Sequence, residues 1–229
     1  MWFIDSGFII FVIPAMIFAL YAQSKVRSVY GHYSRISSEK RLKGAEVARM
    51  LLDQNGLENI KVLQTEGNLT DHYDPRAGVV RLSPQVYNGN SLAALGIAAH
   101  EVGHAVQHSS GYFPLGIRNS IVPLANFGSR AAFPLFFIGL IFGGEMGSLL
   151  MSAGIAVFLF AVLFQTITMP VEFNASKRAV ALLEDGGYLS GEEIAGAKQV
   201  LHAAALTYVA AMAVALAHLF RLLLLRGRE

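Results

Sequence analysis

Apolar positions gather into four long blocks separated by stretches of mixed polarity. Residues 3–22 are apolar apart from Asp5, and at about 1.5 Å per residue such a run crosses a hydrocarbon core of about 30 Å. Lys25, Arg27 and Arg35 follow this block. A cleaved signal peptide carries its positive charge ahead of the apolar run, so the pattern predicts a retained anchor with its N-terminus outside. Blocks two and three, 121–142 and 149–167, are separated by Gly143-Gly144-Glu145-Met146-Gly147-Ser148, which predicts a membrane hairpin with a tight turn. The fourth block, 203–225, contains His218 and Arg221; it is expected to span, or to lie partly in the interface with its basic end snorkelling to water.

Two crossings separate the polar sections 23–118 and 170–202, so both are expected on one face of the membrane. Lys and Arg crowd the first, and Lys177, Arg178 and Lys198 lie in the second, whereas the hairpin turn has only Glu145. The positive-inside rule therefore predicts cytoplasmic polar sections on a multi-pass cell-membrane protein. Helical spacing over 38–55 stops at Asn55-Gly56. The period then changes to two, predicting strands at 59–64, 69–73 and 79–83, the last two antiparallel across a turn at Asp74-Pro75-Arg76-Ala77-Gly78. A helix capped by Asn90 or Ser91 is expected to run to about His108, and another over 168–185 with Pro170 in its first turn and Gly186-Gly187 as its stop. The expected fold class is mainly α and integral to the membrane: a single-domain helical bundle with a small antiparallel β element.

Composition narrows the chemistry. Of 229 residues 54% are hydrophobic and 15% charged, with mean hydropathy +0.47, so the excess apolar surface must face lipid. A net charge of +2, with no basic cluster interleaved with aromatics, sets nucleic acid aside as a partner. Cysteine is absent, which leaves His and carboxylates as the metal ligands available.

The helix ending near His108 contains His100-Glu101-Val102-Gly103-His104, an HExxH pattern. At i and i+4 two imidazoles leave one helix face about 6 Å apart along the axis and can reach one Zn2+ ion, with Glu101 beside it as a base for water. A catalytic zinc needs a third protein ligand. His108 lies about 12 Å along the axis from His100, too far for a straight helix; Gln107 and Ser110 also stand where the metzincin pattern needs Gly and His. His72 is a second candidate, or a residue behind the ligands. Glu172 is preferred, because the membrane hairpin returns its helix to the face that carries the histidines.

Taken together, Thr70-Asp71-His72-Tyr73-Asp74-Pro75, Val80-Arg81-Leu82-Ser83, Ala99 to Ala105, Met169-Pro170-Val171-Glu172-Phe173-Asn174-Ala175-Ser176 and Ala203 to Ala210 resemble the YugP-type neutral zinc membrane metallopeptidases of bacteria. More distantly the arrangement resembles the HtpX-like gluzincins. The resemblance implies an endopeptidase with His100, His104 and Glu172 on one zinc ion, Glu101 as base, and a peptide or membrane-associated protein as substrate. Ser176 stands where the gluzincin pattern has Asp, a departure that a hydroxyl one turn from Glu172 could make good only in part. Tyr208, His202 and Arg178 are candidate donors to the oxyanion, and strand 79–83 is the expected docking edge for an extended substrate. The rival readings are a site-2-type intramembrane protease and a zinc-binding membrane scaffold without turnover.

Overall fold

The computed structural model describes residues 5–227; Phe3 and Ile4 of the first apolar block lie outside the described residues. A π-helical segment, Phe8–Val12, leads into α1 (Ile13–Tyr33). There follow α2 (Gly44–Gln54), β1 (Lys61–Gln64), β2 (His72–Asp74), β3 (Val79–Leu82), α3 (Pro84–Tyr87), α4 (Leu92–Ser109), α5 (Phe113–Phe142), α6 (Gly144–Asp185) and α7 (Glu192–Arg226). Four helical stretches, Phe8–Tyr33, α5, α6 and α7, are long and apolar enough to cross a membrane.

The chain packs as two compact units. One gathers the residues up to Gln23, Pro114–Pro170 and those from Leu206 on. Its core is built from Phe136, Met151, Ile155, Phe158 and Leu222, among others, while Ile17, Leu20, Phe142 and Leu149 are exposed and suited to lipid. Glycines bring α5 and α6 together: a side chain at Gly139 would lie 2.6 Å from the backbone oxygen of Gly147, and one at Gly154 2.8 Å from that of Ala132. Small residues of this kind let membrane helices approach backbone to backbone. Arg221 is buried and pairs with Asp5 at 2.8 Å, so of the two readings of the fourth block the snorkelling one does not hold for this residue. Its guanidinium also lies 5.1 Å from the centre of the Phe8 ring. Arg130 is exposed on α5.

The other unit comprises Ser24–Phe113 and Val171–Ala205. Its sheet has the order β1-β3-β2, with β2 antiparallel and β1 parallel to β3. The sheet is therefore mixed, not purely antiparallel, and the strand expected as the docking edge is its centre. Both edges of β3 are already hydrogen-bonded, so the free edges belong to β1 and β2. Helix α2 starts later than its periodicity predicts, because Ser38 bonds Asn90 and Gly44 bonds Gly89 through the backbone, which holds the intervening residues against the loop before α4. Ser91 caps α4, its hydroxyl accepting from the Ala94 amide at 3.2 Å. Helix α4 packs in a core with Leu51, Leu52, Val80, Leu82 and Leu183.

The helix expected to start at Thr168 is continuous with the third apolar block. Pro170 sits inside α6, so Glu172 is not at a helix N-terminus, and attraction to a helix dipole cannot be why a carboxylate stands there. An interior proline costs about 3 kcal/mol. Offsetting that cost, Val171, Ala175, Ala179 and Leu183 recur every fourth residue and are completely buried.

Candidate metal centre

His100 and His104 leave α4 on one face, their rings edge to face with centroids 4.7 Å apart. Both Nε2 atoms converge on a single carboxylate oxygen: Glu172 Oε2 lies 3.2 Å from His100 Nε2 and 3.5 Å from His104 Nε2. Glu172 is buried and the two rings are nearly so. Zinc–ligand bonds of about 2.0–2.2 Å place tetrahedral donors about 3.3–3.6 Å apart; both nitrogen–carboxylate separations are close to this, and all three ligand atoms lie within 4.8 Å of one another, a set that could hold one zinc. Among the described residues, this trio alone forms a cluster of metal-ligating side chains.

Helix approach sets the geometry. A side chain at Gly103 would lie 2.6 Å from the backbone oxygen of Ala175; only a residue without Cβ lets α4 lie this close to the turn of α6 that bears Glu172. Ser176 Oγ lies 3.2 Å from His100 Nδ1. Sequence reasoning missed the corresponding partner of His104. Gln107 Oε1 lies 3.0 Å from His104 Nδ1, and Gln107 Nε2 donates to the Val171 carbonyl at 2.8 Å and to Asn174 Oδ1 at 2.9 Å. The available signal was its place one turn after His104 on a helix with small flanks.

Glu101 is buried beside the histidines. Burial pushes its proton affinity above that of an ordinary carboxyl, although both imidazoles pull the other way. For His104 burial opposes the charge, but Glu172 and Glu101 outweigh it and hold the imidazole above its ordinary value. Asp71 also faces this region, its charge adding to the proton affinity of Glu101. Its carboxylate accepts from the Ser83 amide at 2.7 Å, tying the start of β2 to the end of β3.

The other candidates have contacts of their own. His72 is exposed on β2, its Nδ1 2.8 Å from the Thr70 carbonyl, and the structure does not bring it into the ligand cluster. His108 Nδ1 lies 3.0 Å from the Tyr73 hydroxyl. Arg178 donates to Asn174 at 2.9 Å. His202 is exposed, and Tyr208 is half-buried on the part of α7 that belongs to the first unit.

A family model described as "Putative neutral zinc metallopeptidase" matches residues 8–227. The chain belongs to this family. It is also 47% identical over 225 residues to a Bacillus subtilis (strain 168) protein named "Putative membrane protease YugP", an alignment covering 97% of this chain and 98% of that one. No solved structure matches it. The family's zinc accords with the histidine–carboxylate trio, which lies within the matched residues.

Proposed function

We propose that this chain is a multi-pass zinc endopeptidase of the cell membrane whose site faces the cytoplasm and cleaves membrane-associated polypeptides. One observation carries the reading: two imidazole nitrogens converge on one carboxylate oxygen, all within 4.8 Å of one another, with a second, buried carboxyl beside them. A structural metal would need the ligands alone, and Glu101 is surplus to them.

His100, His104 and Glu172 would hold the ion, which when bound supplies Lewis-acid polarisation of the scissile carbonyl and of water. Glu101 takes a proton from the attacking water and returns it to the leaving nitrogen, a double role suited to a carboxyl whose proton affinity is raised. The free edge of β2 offers backbone groups to an extended peptide. It is next to α4 through the Tyr73–His108 contact. The similar protein's name, "Putative membrane protease YugP", supports proteolysis at a membrane, and turnover of membrane proteins is the role proposed here.

The test compares wild type, Glu101→Gln and Glu172→Ala for bound zinc and for cleavage of casein or a membrane-protein substrate. The expected result is cleavage by wild type, zinc without cleavage in Glu101→Gln, and zinc loss in Glu172→Ala. Full metal with no cleavage by wild type or Glu101→Gln, together with intact cellular function in that variant, would instead establish a scaffold.

A further inference from the structure

Gln107 is completely buried, and a primary amide is kept in a core only when its acceptor end and its donor end are both matched. Its donor end is committed, because both groups facing Nε2, the Val171 carbonyl and Asn174 Oδ1, are acceptors. Asn174 is itself oriented by Arg178, whose Nε–H reaches the same Oδ1 at 2.9 Å; a guanidinium donates and never accepts. The acceptor end of Gln107 is thereby turned onto His104 Nδ1. An amide oxygen can only accept, so Nδ1 carries a proton, and in the neutral ring the lone pair lies on Nε2, the nitrogen that faces Glu172.

We propose that Gln107 is a positioning residue which, oriented through Asn174 and Arg178, commits Nε2 of His104 to the metal and fixes the plane of that ring relative to α6. This rests on the metal-site reading above. The two ligand histidines then differ. His104 is locked from a donor-only cation inward, whereas His100 meets the Ser176 hydroxyl, which can donate or accept and imposes no tautomer. The same amide joins α4 to the backbone immediately before Glu172, so one side chain registers two of the three ligands against each other.

The experiment uses the purified full chain, with zinc affinity measured by chelator competition, Co2+ as a visible-absorption probe of ligand geometry, and thermal melting of the metal-free protein. Gln107→Met keeps length and removes every hydrogen bond. It is expected to weaken zinc by about 10- to 100-fold, the usual effect of losing a partner behind a ligand, and to shift the Co2+ band. Arg178→Met, at the half-exposed end of the chain of bonds, is expected to move the band in the same direction with a smaller loss of affinity and an unchanged metal-free melting temperature. A folded Gln107→Met with wild-type affinity and spectrum overturns the proposal. Should that variant not fold, Arg178→Met decides: an unmoved band and unchanged affinity overturn it equally. A wild-type protein that takes up neither ion overturns the metal site itself, a result distinct from failure of the Gln107 assignment.

Discussion

A buried carboxyl beside two imidazoles suits proton transfer at a cost in stability. Burial raises the proton affinity of folded Glu101 above its ordinary value of 4.5. As pH rises past that value the unfolded chain releases its proton first, and the metal-free fold loses stability. Glu101→Gln is therefore expected to lower kcat by about 10²- to 10⁴-fold while raising the metal-free melting temperature at neutral pH. Melting curves in chelator should show that gain shrink towards nothing below about pH 4.5, where both states of the wild type are protonated. His104 makes the opposite demand on pH. Its proton is held above the ordinary imidazole value and must leave before a metal can bind. Zinc affinity by chelator competition should then fall by about tenfold or more per unit as pH drops below that raised value, and level off above it. His100, Glu101 and His104 were legible in the sequence because helix geometry alone converts i and i+4 into a shared face. Gln107 was not, since an uncharged amide near a helix end looks like an ordinary polar residue until its three partners are seen.

Elements place these residues through one close approach. Because a Cβ at Gly103 would meet the Ala175 backbone at 2.6 Å, Gly103→Ala must push α4 and α6 apart, which displaces Glu172 from the histidines. The expected cost is about 1–3 kcal/mol of stability, as for other overpacked cores, together with weaker zinc binding. Gly116→Ala is the control: it adds a methyl where nothing lies within 4 Å, so zinc affinity should not change. Measuring both in chelator competition and thermal melting separates a steric effect at the site from a general effect of removing a glycine. Periodicity and turn residues revealed most elements, but two calculations the chain makes in three dimensions were hidden. The apolar stripe from Val171 to Leu183 outweighs Pro170 and keeps α6 unbroken, and β1 joins the sheet in parallel, which turns the anticipated edge strand into the central one. Neither follows from local pattern, because each is decided by what lies on the far side of the core.

At the scale of the whole chain, the first and last apolar blocks are joined by a buried charge pair. Read along the sequence, Asp5 was a lone interruption and Arg221 a basic residue reaching for water. Folding brings them to 2.8 Å, with the Phe8 amide also donating to Asp5 at 3.0 Å. Both side chains are buried, so neither charge is solvated by bulk water. Truncating either member removes this bond, and breaking a buried pair costs about 3–5 kcal/mol. Asp5→Ala and Arg221→Ala are each expected to lower detergent-solubilised stability by that order. Removing both with Asp5→Leu and Arg221→Met should cost less than the sum, because the bond lost in each single variant is lost only once in the double. The double-mutant cycle, read by thermal melting in micelles, therefore tests whether the first and last apolar blocks are coupled through this pair. Additive losses would mean that Asp5 and Arg221 act independently, and the first helix would then be held by its apolar contacts alone.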